Sequence, residues 1–352
     1  MPKPTGRDSI VAYHFRNLVF EGGGVKGIAY VGAMEVLKKK GILPQIQRVG
    51  GTSAGAINAT LFALSFSIEE QNKILNSLNF KKFMDDSFGI IRDVNRLITR
   101  FGWNKGDFFR EWIGDQIEEK LGDRDATFSN LKEAGKPDLY VYGTNLSTGF
   151  GEVFSVEHTP SARIRDAVRI SMSIPLFFTA FRNAREDVYV DGGVLYNYPI
   201  KLFDREKYIA PAERSKMAIK TKYYQEENKT FLKQYPKRSP YCYNRQTLGF
   251  RLDSPQEIAV FRYGAVPEHH KIDDFFDYAK RLVSTIVDSQ QNVHLHSDDW
   301  QRTVYIDTLG VGTTDFDLKA TMKEKLKESG RKGTTAYFKW FDDSGTKAAN
   351  KA

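Results

Sequence analysis

The sequence predicts an α/β fold in which parallel strands are joined by crossover helices, because a strand–glycine loop–helix unit occurs twice in succession near its start. Asn17-Leu18-Val19-Phe20 is a short apolar run ending at Gly22-Gly23-Gly24-Val25-Lys26-Gly27. Ile28, Val31, Met34 and Leu37 then recur at helical spacing until Gly41 and Pro44 stop the helix. The second unit repeats the plan with a weak strand at Ile46 to Val49, the turn Gly51-Thr52-Ser53-Ala54-Gly55, and a helix marked by Ile57, Leu61 and Leu64. Parallel strands place both glycine loops at the carboxyl edge of one sheet, where ligands bind in such folds.

The remaining elements extend that plan. A helical region from about Ser67 to Leu121 carries Phe80, Phe83, Phe88, Phe101, Trp103, Phe108, Phe109 and Trp112. Strands are expected at Leu139 to Gly143, Gly151 to Ser155 and Val188 to Val190, with a helix from Ser161 to Ser171 ended before Pro175. Arg205 to Gln246 is rich in Lys, Arg and Tyr and reads as a loop excursion. A long helix from about Asp273 to Val293, a strand at Thr303 to Asp307 and a charged helix near Leu318 to Ser329 follow. The reading is a single domain over 1–343, with its core at about 14–205, the basic excursion at 205–246 and an extension at 248–343. Residues 344–352 are expected to be a disordered tail.

Composition narrows the function classes. The 352 residues are 41% hydrophobic and 27% charged, and no apolar run approaches the roughly 20 residues of a membrane-spanning helix. No apolar run of a secretory signal follows Met1, so the default compartment is the cytoplasm, with peripheral membrane association or signal-independent secretion compatible. Cys242 is the only cysteine, which excludes an internal disulfide and a cysteine metal cluster. Lys plus Arg number 52 against 44 Asp plus Glu, a net +8 that favours anionic partners. No nucleic-acid-binding motif accompanies that charge.

The chemistry rests on three motifs in order. Gly51-x-Ser53-x-Gly55 suits a nucleophile on a strained strand-to-helix turn, where small neighbours let the helix pack closely and the hydroxyl point outward. Its plainer reading is a turn in which Ser53 caps a helix. A serine hydroxyl attacks only when a base takes its proton, and Asp191, after Val188-Tyr189-Val190 and before Gly192-Gly193, is the candidate. The plainer reading there is a routine Asp-Gly turn. Consecutive backbone N–H groups at Gly23, Gly24 and Val25, with Lys26 adding charge, suit an oxyanion site, and Gly27 completes the motif. The same loop satisfies the Gly-x-Gly-x-x-Gly dinucleotide fingerprint, although Gln47 and Arg48 stand where an acidic residue is expected. It is not a P-loop, since Ile28 and not Lys follows Gly27.

These motifs, in this order, resemble the patatin-like phospholipases, relatives of cytosolic phospholipase A2 and of bacterial toxins. The likeness runs from about Asn17 to Asn197 and includes Ser171-Met172-Ser173-Ile174-Pro175-Leu176-Phe177-Phe178. Glu21 stands where many members have Asp, a change of little expected effect. The resemblance implies a three-layer α/β/α fold with a mostly parallel sheet, and a Ser53–Asp191 dyad without histidine. It also implies an oxyanion site at Gly22 to Lys26 and release of fatty acid from phospholipid or lysophospholipid without cofactor or metal. Transacylation to a lipid acceptor and a non-catalytic dinucleotide-binding module are the alternatives.

Two further features bear on this. His269, His270, His294 and His296 follow Asp191, so the residues alone leave a Ser, Asp, His order open. His294 and His296, two apart on a helix, point in different directions and suit surface positions better than a metal. The aromatics between Phe80 and Trp112 read mainly as core. Lys81, Lys82, Arg92, Arg96 and Arg100 among them also suit a cap meeting an anionic membrane.

Overall fold

A computed structural model describes residues 13–78, 99–253 and 298–351, with scattered positions between 266 and 286. Along the chain, β1 (Asn17–Phe20), α1 (Ala29–Lys39), β2 (Arg48–Thr52), α2 (Ala54–Ala63) and α3 (Ile68–Ser77) come first. They are followed by β3 (Gly102–Asn104), α4 (Asp107–Leu121), α5 (Phe128–Glu133), β4 (Asp138–Asn145), β5 (Phe150–Ser155) and α6 (Ile164–Ser171). Next come β6 (Leu176–Phe178), β7 (Phe181–Arg182), β8 (Val188–Asp191) and the single turn α7 (Gly193–Tyr196). The chain closes with α8 (Arg214–Met217), β9 (Ala218–Ile219), α9 (Lys222–Gln234), β10 (Tyr243–Asn244), β11 (Thr247–Asp253), β12 (Thr303–Asp307) and α10 (Ala320–Asp342).

The main sheet runs β12-β11-β1-β2-β4-β8-β7, with β5 also paired to β4. The first five strands are mutually parallel, whereas β5, β7 and β8 pair antiparallel. This is the mostly parallel α/β sheet expected. Period-two alternation gives the sheet two apolar faces: Leu18, Phe20, Leu139 and Val141 join the large core, while Val19 and Tyr140 join a second cluster with Tyr198, Ile200 and Phe203. Segments covering both faces make the layered arrangement, because a parallel sheet buried on both sides excludes water from its strands.

Register sets the site. Thr52 of β2 pairs with Tyr142 of β4, and the next residue of β4, Gly143, pairs with Asp191 of β8. The residue after Thr52 and the last residue of β8 therefore meet at one edge, although 191 − 53 = 138 positions separate them in the chain.

Three expectations require correction. Arg205 to Gln246 is not a bare loop: it holds α8, α9, β9 and β10, with Tyr208, Ile209, Met217, Tyr224, Cys242 and Tyr243 buried. Composition hid this because its order comes from ion pairs and tyrosine rings instead of an apolar period. The tail is also packed. Ala348 and Asn350 are buried, Asn350 Nδ2 donates to Tyr337 Oη (2.8 Å), and Arg245 Nε donates to the Ala349 carbonyl (2.6 Å). The helix expected to end near Ser329 continues to Asp342, since Phe338 and Phe341 carry its apolar face onward. Most of the helix expected from Asp273 to Val293 lies outside the described residues, as do Phe80, Phe83, Phe88, Lys81, Lys82, Arg92, Arg96, His270, His294 and His296. Among the described residues no helix is long and apolar enough to cross a membrane.

Candidate active site

Ser53 stands between β2 and α2 with φ 53° and ψ −125°, a conformation that non-glycine residues rarely adopt. Such strain costs on the order of 1–3 kcal/mol and persists only where surrounding contacts enforce it. The enforcing contacts are close. A Cβ at Gly55 would lie 2.3 Å from the Phe20 carbonyl oxygen, so only glycine lets α2 start directly under β1. The Ser53 N–H donates to Ser171 Oγ (2.9 Å), and the Ser53 hydroxyl lies 3.6 Å from Met172 Sδ.

Asp191 ends β8 and is 5% exposed. Its Oδ1 accepts the Gly193 N–H (2.7 Å), and its own N–H donates to the Ser173 carbonyl (2.8 Å). Burial pushes this carboxyl up to about 7, against the opposing pull of the Gly193 N–H and the Ser53 hydroxyl. Gly51, Gly192 and Gly193 complete the two turns that let serine and carboxyl approach. Among the described residues no histidine hydrogen-bonds to either side chain, and no group of three or more His, Cys, Asp or Glu is placed to hold a metal.

The glycine loop folds as a 3-10 turn, Gly24–Ile28, immediately after β1. Five residues were candidates for an oxyanion site, and the hydrogen bonds divide them. Gly22 N–H donates to the Asn197 carbonyl (3.0 Å), Val25 N–H to the Thr313 carbonyl (3.3 Å) and Lys26 N–H to the Gly23 carbonyl (3.2 Å). The Gly23 and Gly24 N–H groups make no such bond among the described residues and remain available. Gly24 takes φ +54°, and a Cβ there would meet the Thr313 oxygen at 2.0 Å, so this position admits only glycine. Lys26 is buried beside the loop and Gly27 packs on Ala54. Two apolar recesses flank the serine turn, one lined by Ile28, Ala54, Ile57, Leu75 and Leu78, the other by Phe109, Met172 and Phe178.

Three supporting residues escaped the sequence reading. Asn197 braces the loop, its carbonyl accepting the Gly22 N–H while Nδ2 donates to the Gly22 carbonyl (3.3 Å) and to Glu21 Oε1 (3.4 Å). Glu21 is fully buried, and its Oε2 accepts the Leu252 N–H (2.7 Å). Burial pushes its carboxyl above the usual carboxylate range while Arg251 opposes the shift. The change from Asp to Glu thus sits inside a closed polar cluster beneath the loop. Ser171 is the third. The only signals were adjacency to the glycines for Glu21 and membership of the Ser-Met-Ser-Ile-Pro stretch for Ser171.

The Cys242 thiol is fully buried and pushed up to about 12 by that burial, in line with an unreactive side chain. Arg100, Phe101 and Phe108 of the expected membrane cap are described, and Phe101 and Phe108 are exposed at 46% and 37%.

Comparison with known proteins shows the family and the fold. A model of the patatin-like phospholipases matches residues 18–204. The uncharacterized protein YqhO of Bacillus subtilis is 29% identical over 337 residues, spanning 91% of this chain and 97% of that one. A probable lipid hydrolase, 463L, of Invertebrate iridescent virus 6 is 25% identical over 199 residues, spanning 55% of this chain and 65% of its own length. The crystal structure of VipD from Legionella pneumophila shares the fold with a TM-score of 0.59 at 18% identity, covering 93% of this chain and 67% of that one. The match covers the first glycine loop, the serine turn and the Asp-Gly-Gly turn, more than half of the chain, and the protein belongs to the patatin-like phospholipase family.

Proposed function

We propose that the protein is a serine acyl hydrolase that releases fatty acid from glycerophospholipids or lysophospholipids through an acyl-Ser53 intermediate. The observation that carries this reading is the pairing of a strained, hydrogen-bonded serine with a buried carboxyl pushed up to about 7 and joined to no cation or histidine among the described residues. A carboxylate in so dry a place is a far better base than one in water.

In this scheme Asp191 takes the Ser53 proton as Oγ attacks the ester carbonyl. The N–H groups of Gly23 and Gly24 face the resulting oxyanion, and Lys26 adds positive charge. The tetrahedral adduct expels the glycerol oxygen, which takes the proton back from Asp191. Water, deprotonated by Asp191, then releases the fatty acid and restores Ser53. The net +8 suits an anionic lipid surface. The name of the viral relative, a probable lipid hydrolase, agrees in class.

A fluorophosphonate probe should modify Ser53, with the adduct mapped by peptide mass spectrometry, and Ser53→Ala should abolish both labelling and fatty-acid release from phospholipid vesicles. Turnover retained in a folded Ser53→Ala protein rejects the scheme. Product analysis with an added alcohol or lysolipid acceptor separates hydrolysis from acyl transfer.

A further inference from the structure

Three consecutive residues at the end of α6 touch both members of the Ser53–Asp191 pair. Ser171 Oγ accepts the Ser53 N–H, Met172 Sδ lies against the Ser53 hydroxyl, and the Ser173 carbonyl accepts the Asp191 N–H. The strap is itself anchored. Ser171 is fully buried and donates its hydroxyl proton to the Tyr142 carbonyl (2.6 Å), on the strand whose next residue pairs with Asp191. Behind it, Arg169 is 5% exposed and bonds Ser173 Oγ and, through Nη2, the Thr179 carbonyl (3.0 Å).

We propose that Ser171 is a positioning residue: its hydroxyl holds the Ser53 turn in its left-handed conformation and ties it to β4, setting the distance between Ser53 and Asp191. This rests on the hydrolase reading above. The physical reason is that a backbone at φ 53° relaxes unless its N–H has a fixed acceptor, and Ser171 Oγ is that acceptor. With an oxygen that both accepts from Ser53 and donates to Tyr142, the link has direction and length that an apolar side chain lacks. A displacement of about 1 Å between reacting groups costs roughly 100-fold in rate.

The test uses the full chain. Ser171→Ala should lower kcat on phospholipid vesicles by about 10- to 100-fold with KM within about twofold, and should slow fluorophosphonate labelling of Ser53 in parallel. The acid limb of its pH–rate profile should move to higher pH, because a Ser53 hydroxyl displaced from its place holds the Asp191 carboxyl down less. A residue that served only packing would lower the melting temperature without moving that limb. Ser171→Cys, which keeps the bulk but offers a weaker acceptor, should fall between wild type and Ser171→Ala; it also carries the test if the alanine variant does not fold. A wild type that labels at Ser53 while the Ser171 variants label as fast, with an unmoved acid limb, overturns this inference alone. A wild type that forms no adduct overturns the hydrolase reading and this inference with it.

Discussion

Two of the buried carboxylates, Asp204 and Asp191, have opposite surroundings. Asp204 is gripped bidentately by Arg302 (2.6 Å to each oxygen) and also accepts the Asn244 N–H (3.2 Å) and the Tyr224 hydroxyl. Arg302 in turn binds Asp299 (2.6 Å) and lies over the Tyr243 ring (4.2 Å). Asp191 accepts the Gly193 N–H, is held down only weakly by the nearby Ser53 hydroxyl, and has no ion-pair partner among the described residues. A carboxylate with a buried cation has its charge answered and serves to lock Arg205 to Gln246 onto the sheet. One without a cation titrates near neutrality and is free to exchange a proton. The presence or absence of a counter-charge separates scaffold from candidate chemistry here better than burial does.

The largest expected effect lies on the unpaired side. Asp191→Asn should lower kcat about 100- to 10,000-fold, as loss of a general base does. Wild-type kcat/KM should rise with pH through an apparent value near 7, reflecting the carboxyl pushed up to about 7, and a pH series on vesicles checks it. Stability runs the other way. Between the ordinary aspartate value and 7 the native state holds a proton that the unfolded chain has released, so stability is full at low pH and falls as pH rises through 7. The penalty is on the order of a few kcal/mol, and Asp191→Asn removes it. The variant should therefore melt above wild type at pH 8, with the gap closing toward pH 4; a variant that melts lower at pH 8 contradicts the assignment of an unpaired carboxyl.

On the paired side, Arg302→Ala should destabilise the protein by about 3–5 kcal/mol in chemical denaturation, because it strands Asp204 and Asp299 without their cation. The protein that remains folded should keep its turnover per molecule, and a selective loss of kcat in it would dissolve the distinction between the two carboxylates. The smallest effect belongs to the tail. Asn350→Ala removes the hydrogen bond to Tyr337 and should cost about 1–2 kcal/mol without changing kcat.

The serine turn, the Asp-Gly-Gly turn and the glycine loop were legible because each needs particular small residues at particular spacings. Glycine at 24 and 55 is dictated by backbone oxygens that leave no room for a Cβ. The strand–helix plan was legible from apolar period alone, since Leu18 and Phe20 against Val19 sort themselves onto two faces. Arg205 to Gln246 was not, because a helix held by Asp204, Arg302 and stacked tyrosines carries a polar pattern that resembles a solvated loop. The tail was misread for the same reason: Asn350 and Lys351 are polar, and their partners, Tyr337 and Asp343, are visible only once the chain has folded.

Composition and local pattern settled the α/β class and picked out Ser53, Asp191 and the glycines, since backbone geometry and residue size are properties of a few neighbouring positions. Tertiary structure decided that, among the described residues, Gly22, Val25 and Lys26 spend their N–H groups on backbone carbonyls while Gly23 and Gly24 do not. It also decided that the Asp191 carboxyl titrates near 7 and that Ser171, Asn197 and Glu21 surround the turn. Desolvation and hydrogen-bond partnership depend on which distant segments close over a residue, and that is set by strand register and packing, which no short window of the chain contains.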